Sequence, residues 1–262
     1  MRIMNIYHYT TMDALKGIIQ NDSLCFWGSR YDSMNDPRDY TYARDIILPR
    51  IKRNVESEKL ISKEEKEFTE EYPYIVSFSK AKDDELMWRL YHAEVALELD
   101  RNIIKRELKK QKEFILFHDC IYPKEHEIAE AFIKLYNKLN YDANVLDKAQ
   151  ETVSLIKHHS FNIEKEVRMV KFDYKTFVAN HKGGIIDTEI PVDVGIKSIK
   201  NGDFVFYKKF FLPKNSLKGI IVRSYNRGRF ERIEKHIKLF MLMNKYSLSN
   251  IEVVQTQSCP VE

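Results

Sequence analysis

Glycine is scarce in this chain: 8 residues in 262. Backbone cradles for phosphate need closely spaced glycines, and neither G-x-G-x-x-G nor G-x-x-x-x-G-K-[ST] occurs, which argues against a Rossmann unit and a P-loop. Cysteine is also thin. Cys25, Cys120 and Cys259 are far apart, odd in number and form no C-x-x-C, so they supply no disulfide framework and point to a reducing compartment. No apolar run approaches the ~18 residues that span a bilayer. The opening MRIMNIYHYT lacks the apolar core of a signal peptide. The expectation is a cytoplasmic protein with no membrane partner. A nucleophile elbow, G-x-S-x-G, is missing too. The net charge of +4 permits a basic patch without announcing a nucleic-acid binder.

What is present fits a folded protein: 44% apolar residues, 31% charged, with 15 Tyr and 15 Phe. Period-two patterning predicts strands over 4–10, 24–27, 74–79, 93–99, 113–122, 163–172, 185–190, 204–212, 217–223 and 251–256. Helical spacing predicts helices after Thr10 or Thr11, around Tyr42 to Ile47, over 50–72, 83–92, 101–110, 124–139, 142–158 and 230–246. Many of the strands are joined by connections too short for a crossover helix. That favours an α+β fold with a mainly antiparallel sheet and flanking helices. No repeat, linker or composition break divides the chain, so residues 1–262 read as one domain, with 124–158 as a helical lobe or insertion.

The stretch Asn162 to Phe172, NIEKEVRMVKF, carries the most pointed chemistry. Read as a strand, it places Glu164, Glu166 and Arg168 on one face. Such a face either lines a polar cleft or forms a solvated ion-pair ladder on an open sheet. Ser77 and Ser79 likewise share one side of their strand, as hydrogen-bonded fillers or as pocket residues. Trp88 and Tyr91, three apart on a helix, read as core packing or as a stacking wall for a base. His118, Asp119, Cys120 and His126 lie close in sequence and His158 adjoins His159, yet the paired spacings of a metal site are missing. No metal is expected. The alternative is a metal-dependent nuclease drawing acids from Asp36, Glu164 and Glu166. Two basic groups, Lys105 to Lys112 and Arg223 to Arg232, read as ordinary surface or as phosphate contacts.

In order along the chain, Tyr7-His8-Tyr9, Asn35-Asp36-Pro37, Ser77-Phe78-Ser79, Met87-Trp88-Arg89-Leu90-Tyr91, Glu164-Lys165-Glu166-Val167-Arg168 and Ser258-Cys259-Pro260 resemble the motifs of a widespread bacterial family classed as a domain of unknown function. The chain departs from that family in lacking a glycine after the Met-Trp-x-x-Tyr helix. Its N-terminal 27 residues, with Tyr7-His8-Tyr9-Thr10 followed by Leu15, Ile18, Ile19 and Leu24, also resemble the start of the ADP-ribosyltransferase superfamily. That second resemblance implies a split antiparallel sheet and NAD as substrate. It implies a pocket drawn from His8, Tyr9, Thr10, Ser77, Ser79, Trp88, Tyr91 and Arg168. His8 and Thr10 would hold a ribose and the carboxamide, and Tyr91 or Trp88 would stack on the nicotinamide. Glu164 or Glu166 would stabilise the oxocarbenium-like transition state, with slightly more weight on Glu166. It further implies a nucleic-acid or protein acceptor and a setting in bacterial conflict or phage defence. A module on the same fold that senses a nucleotide or partner without catalysis is the alternative.

Overall fold

The computed structural model describes residues 4–34, 38–57, 73–111, 114–139, 145–172, 194–198 and 204–258. The strand expected over 185–190, residues 58–72 of the helix expected over 50–72, Asn35-Asp36-Pro37 and Cys259-Pro260 lie outside the described residues. The chain opens with β1 (Asn5–Thr10), α1 (Met12–Ile18) and β2 (Ser23–Arg30), followed by α2 (Arg38–Ser57) and β3 (Tyr74–Ser79). Next come α3 (Glu85–Leu90), β4 (Val95–Asp100), α4 (Arg101–Leu108) and β5 (Leu116–Asp119). Two helices, α5 (Ile128–Lys138) and α6 (Val145–Val153), precede β6 (Glu166–Lys171). The remainder is β7 (Val194–Ser198), β8 (Phe204–Pro213), β9 (Leu217–Val222), α7 (Arg227–Met243) and β10 (Glu252–Gln255).

Short polar side chains set the helix starts. Thr11 accepts the Ala14 N–H at α1, Asp84 those of Leu86 and Met87 at α3, Asp100 those of Asn102 and Ile103 at α4, and Asn226 that of Arg229 at α7. The fold is α+β. One ten-stranded sheet runs β10-β9-β4-β1-β3-β2-β8-β7, with β6 and β5 joined to it through β3. All described pairings between these strands are antiparallel except β10 with β9.

A strand has two edges, and β3 is asked to serve three neighbours. It spends one whole edge on β6, from Tyr74↔Lys171 to Ser79↔Glu166. The other edge is shared: β1 pairs only at Tyr7↔Ser79, and β2 only at Ser29↔Ile75 and Arg30↔Tyr74. Between those points β1 and β2 diverge, and Val76, Ser77 and Phe78 have no ladder partner on that side. The sheet is therefore split at its middle.

One face of the sheet packs on α1, α4 and α7 through a core that includes Ile6, Phe26, Phe78, Leu97, Ile220 and Met241. The other face, over β3, β6 and β5, is covered by α2, α5 and α6 around Tyr40, Ile75, Phe132, Val153, Leu155 and Val170. A smaller cluster on that second face sets Trp88 of α3 against Tyr7, Tyr9, Ala96 and Ile221.

Several expected boundaries move. The strand expected over 163–172 begins only at Glu166. Residues 159–164 form a 3₁₀ turn, and Lys165 closes it in the left-handed region at φ 46°. Alternation thus relates Glu166 to Arg168 but not to Glu164, which reaches the same place by the turn. That face is no solvated ladder: β6 is buried along its whole length. The strand expected over 113–122 shrinks to Leu116–Asp119, and β7 is an element that the patterning did not mark.

Candidate active site

The split leaves a backbone carbonyl to satisfy, and His8 satisfies it. Its Nδ1 lies 3.0 Å from Ser77 O, an atom that only accepts, so Nδ1 carries the proton and donates. The ring sits edge-on to Phe26 and tilted against Phe78. Burial holds its pKa below the ordinary histidine value, with the Ser77 bond opposing, so the imidazole is neutral and Nε2 is an acceptor.

A cleft of about 210 Å³ fills the split. Tyr7, His8 and Tyr9 of β1 line it from one side and Trp27 and Ser29 of β2 from the other. Ser77 and Ser79 of β3 lie between them, and Tyr91 closes it from the end of α3. Tyr9 is fixed by donating to Ala81 O at 2.8 Å and accepting from Asp84 N at 3.0 Å. Trp88 does not reach the cleft. It is 0% exposed, edge-on to Tyr9, with its indole N–H donated to Asp83 Oδ1 at 2.9 Å. Thr10 stands in the β1–β4 ladder opposite Val95 and is not among the cleft-lining residues.

Beneath the serines lies a buried charge network. Glu166 Oε1 accepts from Ser77 Oγ and from Arg168 Nε at 2.8 Å, and Oε2 accepts from Lys157 Nζ at 2.6 Å. Lys157 also meets Glu164 Oε2 at 2.8 Å and Asp39 Oδ2 at 3.1 Å. Arg168 spends its remaining nitrogens on Asp39 and on Ser154 O. Arg168 is 0% exposed, Glu166 2% and Lys157 3%. The Tyr122 hydroxyl accepts the Glu166 N–H at 2.7 Å. Glu164 bridges network and cleft: its carbonyl accepts from Ser79 Oγ at 2.7 Å, and its Oε2 from Tyr91 OH at 3.5 Å.

The two glutamates are held in opposite ways. Burial alone would raise the Glu166 carboxyl, but Arg168 and Lys157 outweigh it and hold it at about 2. Burial also raises Glu164, and Lys157 only partly offsets it, so that carboxyl stays above its ordinary value. Burial and the two carboxylates raise the Tyr91 phenol, which therefore stays protonated and able to donate. Three carboxylates face two cations, so with both glutamates ionised the network carries one excess negative charge.

Sequence reasoning missed Asp39 and Lys157. Lys157 had a faint signal, a lone cation closing the uncharged, largely apolar run Val153-Ser154-Leu155-Ile156. Among the described residues no group of three or more His, Cys, Asp or Glu is placed to hold a metal ion. The ammonium of Lys157 stands where Asp39, Glu164 and Glu166 meet.

Residues 87–169 match the family described as protein of unknown function (DUF2971). The matched stretch opens on the Met87-Trp88-x-x-Tyr91 helix and closes just past Arg168, so it contains the network residues of β6 and the Tyr91 wall. Comparison with curated proteins found no match. Among solved structures, the chain is similar to DarT of Thermus sp. 2.9 in complex with NAD+, at 13% identity and a TM-score of 0.35 over 98% of this chain and 97% of that one. The same protein in complex with ADP-ribosylated ssDNA matches at 13% identity and 0.35, over 97% and 94%.

Proposed function

We propose that this protein is an ADP-ribosyltransferase-like enzyme that takes NAD as substrate. It breaks the bond between nicotinamide and ribose and passes the ADP-ribosyl group to a nucleic-acid or protein acceptor, or to water. One observation carries the reading: the split gathers His8, Ser77, Ser79 and Tyr91 around a single cleft, with an ionised Glu166 one hydroxyl beneath its floor. As the glycosidic bond lengthens, its electron pair leaves with nicotinamide and positive charge builds on the ribose. A fixed carboxylate in a water-poor site stabilises that charge without reorganising. With both glutamates ionised, the excess negative charge of the network acts in the same sense. The acceptor then attacks the sugar carbon and releases its proton.

Within this reading, the free Nε2 of neutral His8 takes a ribose hydroxyl, and Tyr91 offers its ring to the nicotinamide. Glu166 supplies the charge, and Arg168 positions it. Tyr9 shapes the wall, while Trp88 supports Tyr9 from the core. Consumption of NAD by a cytoplasmic protein suits a role in bacterial conflict or phage defence.

The full occupation of both Glu166 oxygens supports the second reading, a module that binds a nucleotide without turnover. Incubation with NAD labelled in its ADP-ribosyl part, alone and with DNA, RNA or cell lysate, separates the two. Nicotinamide release or label transfer is expected, falling by about 100-fold or more in Glu166→Gln. Saturable NAD binding without release would leave only the sensor. Cleavage of nucleic acid that needs a divalent metal and ignores NAD would overturn both.

A further inference from the structure

We propose that Trp27, at the rim of the cleft, is a stacking site for a nucleobase. The proposal rests on the nucleotide-binding reading of the cleft and names a residue outside the matched family stretch. Trp27 lies on β2, borders the cleft, and keeps 44% of its surface exposed. Exposing that much indole to water is costly, and this indole is also held rigid. Tyr207 of β8 stacks on it at 4.3 Å between centroids and 8° between planes. The stack depends on Gly195 of β7, because a Cβ there would come within 2.3 Å of the Tyr207 ring. One face of the indole is thus covered, and the residue itself borders the cleft.

Cations surround this aromatic pair. Lys209 is directly opposite Trp27 in the β2–β8 ladder and is exposed, and Lys197 Nζ lies 6.0 Å from the indole centroid. Exposed Phe211 continues the same sheet face. Rigid aromatics interleaved with lysines match a ligand with flat rings and phosphates, because every base offers a π-face and every nucleotide a negative charge. An apolar protein partner would have no use for the lysines. The base has two sources: the adenine end of the dinucleotide or a base of a nucleic-acid acceptor.

Tryptophan emission tests this without requiring turnover. The chain has two tryptophans, and buried Trp88 serves as an internal reference for folding. Titrate the full chain with ADP-ribose in one arm and a short single-stranded oligonucleotide in the other, reading wild-type quenching by emission and the affinity of the Trp27 variants, which lack that reporter, by calorimetry. Quenching is expected in at least one arm. Trp27→Ala is expected to weaken binding in that arm by about 5- to 100-fold, whereas Trp27→Phe retains most of it. Gly195→Ala, which pushes Tyr207 off the stack, is expected to weaken it less. An effect confined to ADP-ribose assigns the site to the donor; one confined to the oligonucleotide assigns it to the acceptor. If Trp27→Ala binds both as tightly as the wild type, or the wild type binds neither, the stacking site is refuted. Quenching without any NAD turnover would defeat the enzymatic reading alone.

Discussion

Glu166 shows how much one side chain is made to carry. Its two oxygens hold Ser77, Arg168 and Lys157 together, and each of those groups is buried or half-buried. Removing the carboxylate takes a shared acceptor from Ser77 and from buried Arg168 and Lys157, while Asp39 and Glu164 still face the two cations, a loss of about 1–3 kcal/mol for donors left without a partner. Glu166→Ala is therefore expected to lower the melting temperature markedly. Glu166→Gln keeps the shape and two acceptor or donor groups and is expected to lose less. The pH dependence has a definite sign. The folded carboxyl, at about 2, lies below its unfolded value of roughly 4.5, so its contribution is complete above the latter and disappears as pH falls towards 2. His8 acts in the same direction at higher pH. Its folded pKa is depressed, so stability falls as pH drops below roughly 6.5, where the unfolded chain takes up the proton first. Denaturant titrations between pH 8 and 3 should show both declines. The Glu166 decline should vanish in Glu166→Gln.

At the level of elements, Asp83 ties the end of the chain to the start of α3. It adopts φ 46°, a region that aspartate tolerates better than most residues. Its Oδ2 accepts the N–H groups of Gln257 and Ser258, and its Oδ1 accepts from Trp88 Nε1 and Ser258 Oγ. Asp83→Ala is expected to free residues 256–258 and to loosen Trp88, which backs Tyr9 on the cleft wall. Faster amide exchange at Gln257 and Ser258, with β4 unchanged, would show it.

Element by element, the sequence was readable where a local pattern decides the outcome. A helix starting after Thr10 or Thr11, YIVSFS as a strand and a helix beginning near 230 are settled by neighbours within a few residues. Alternation failed at Glu164 because a single left-handed residue, Lys165, resets the phase, and nothing in a lysine announces positive φ. The charge network was illegible for another reason. Asp39 lies 129 positions before Arg168, and Lys157, only nine before Glu166, reaches it through the turn after α6 rather than along the strand; the packing of α2 on the sheet brings Asp39 to both. Nothing in the strand pattern over 24–27 singles out Trp27, because its partner Tyr207 is supplied by β8.

Across the whole molecule, the network joins what the sheet leaves apart. Asp39 belongs to α2, Lys157 follows α6, Glu164 closes a turn and Glu166 and Arg168 lie on β6. The two halves of the cleft wall, β1 and β2, meet β3 at opposite ends only. The network lies on the floor between them. A double-mutant cycle on Asp39→Asn and Lys157→Met measures the coupling. The double variant is expected to be more stable than the sum of the single losses by about 1–3 kcal/mol. Strict additivity would mean that the helices and the sheet hold their positions independently.

The order in which a ribosome makes these residues gives the network a further consequence. Asp39 leaves the exit tunnel 129 positions before Arg168, and Lys157, its other cation, comes only shortly before that arginine. Until then the carboxylate on α2 has no partner of opposite charge from the network, and the second face of the sheet lacks β6, the strand it is built around. The first half of the chain therefore cannot complete this face of the sheet before that segment is made. The cleft is completed only when translation has passed the segment that supplies its charge.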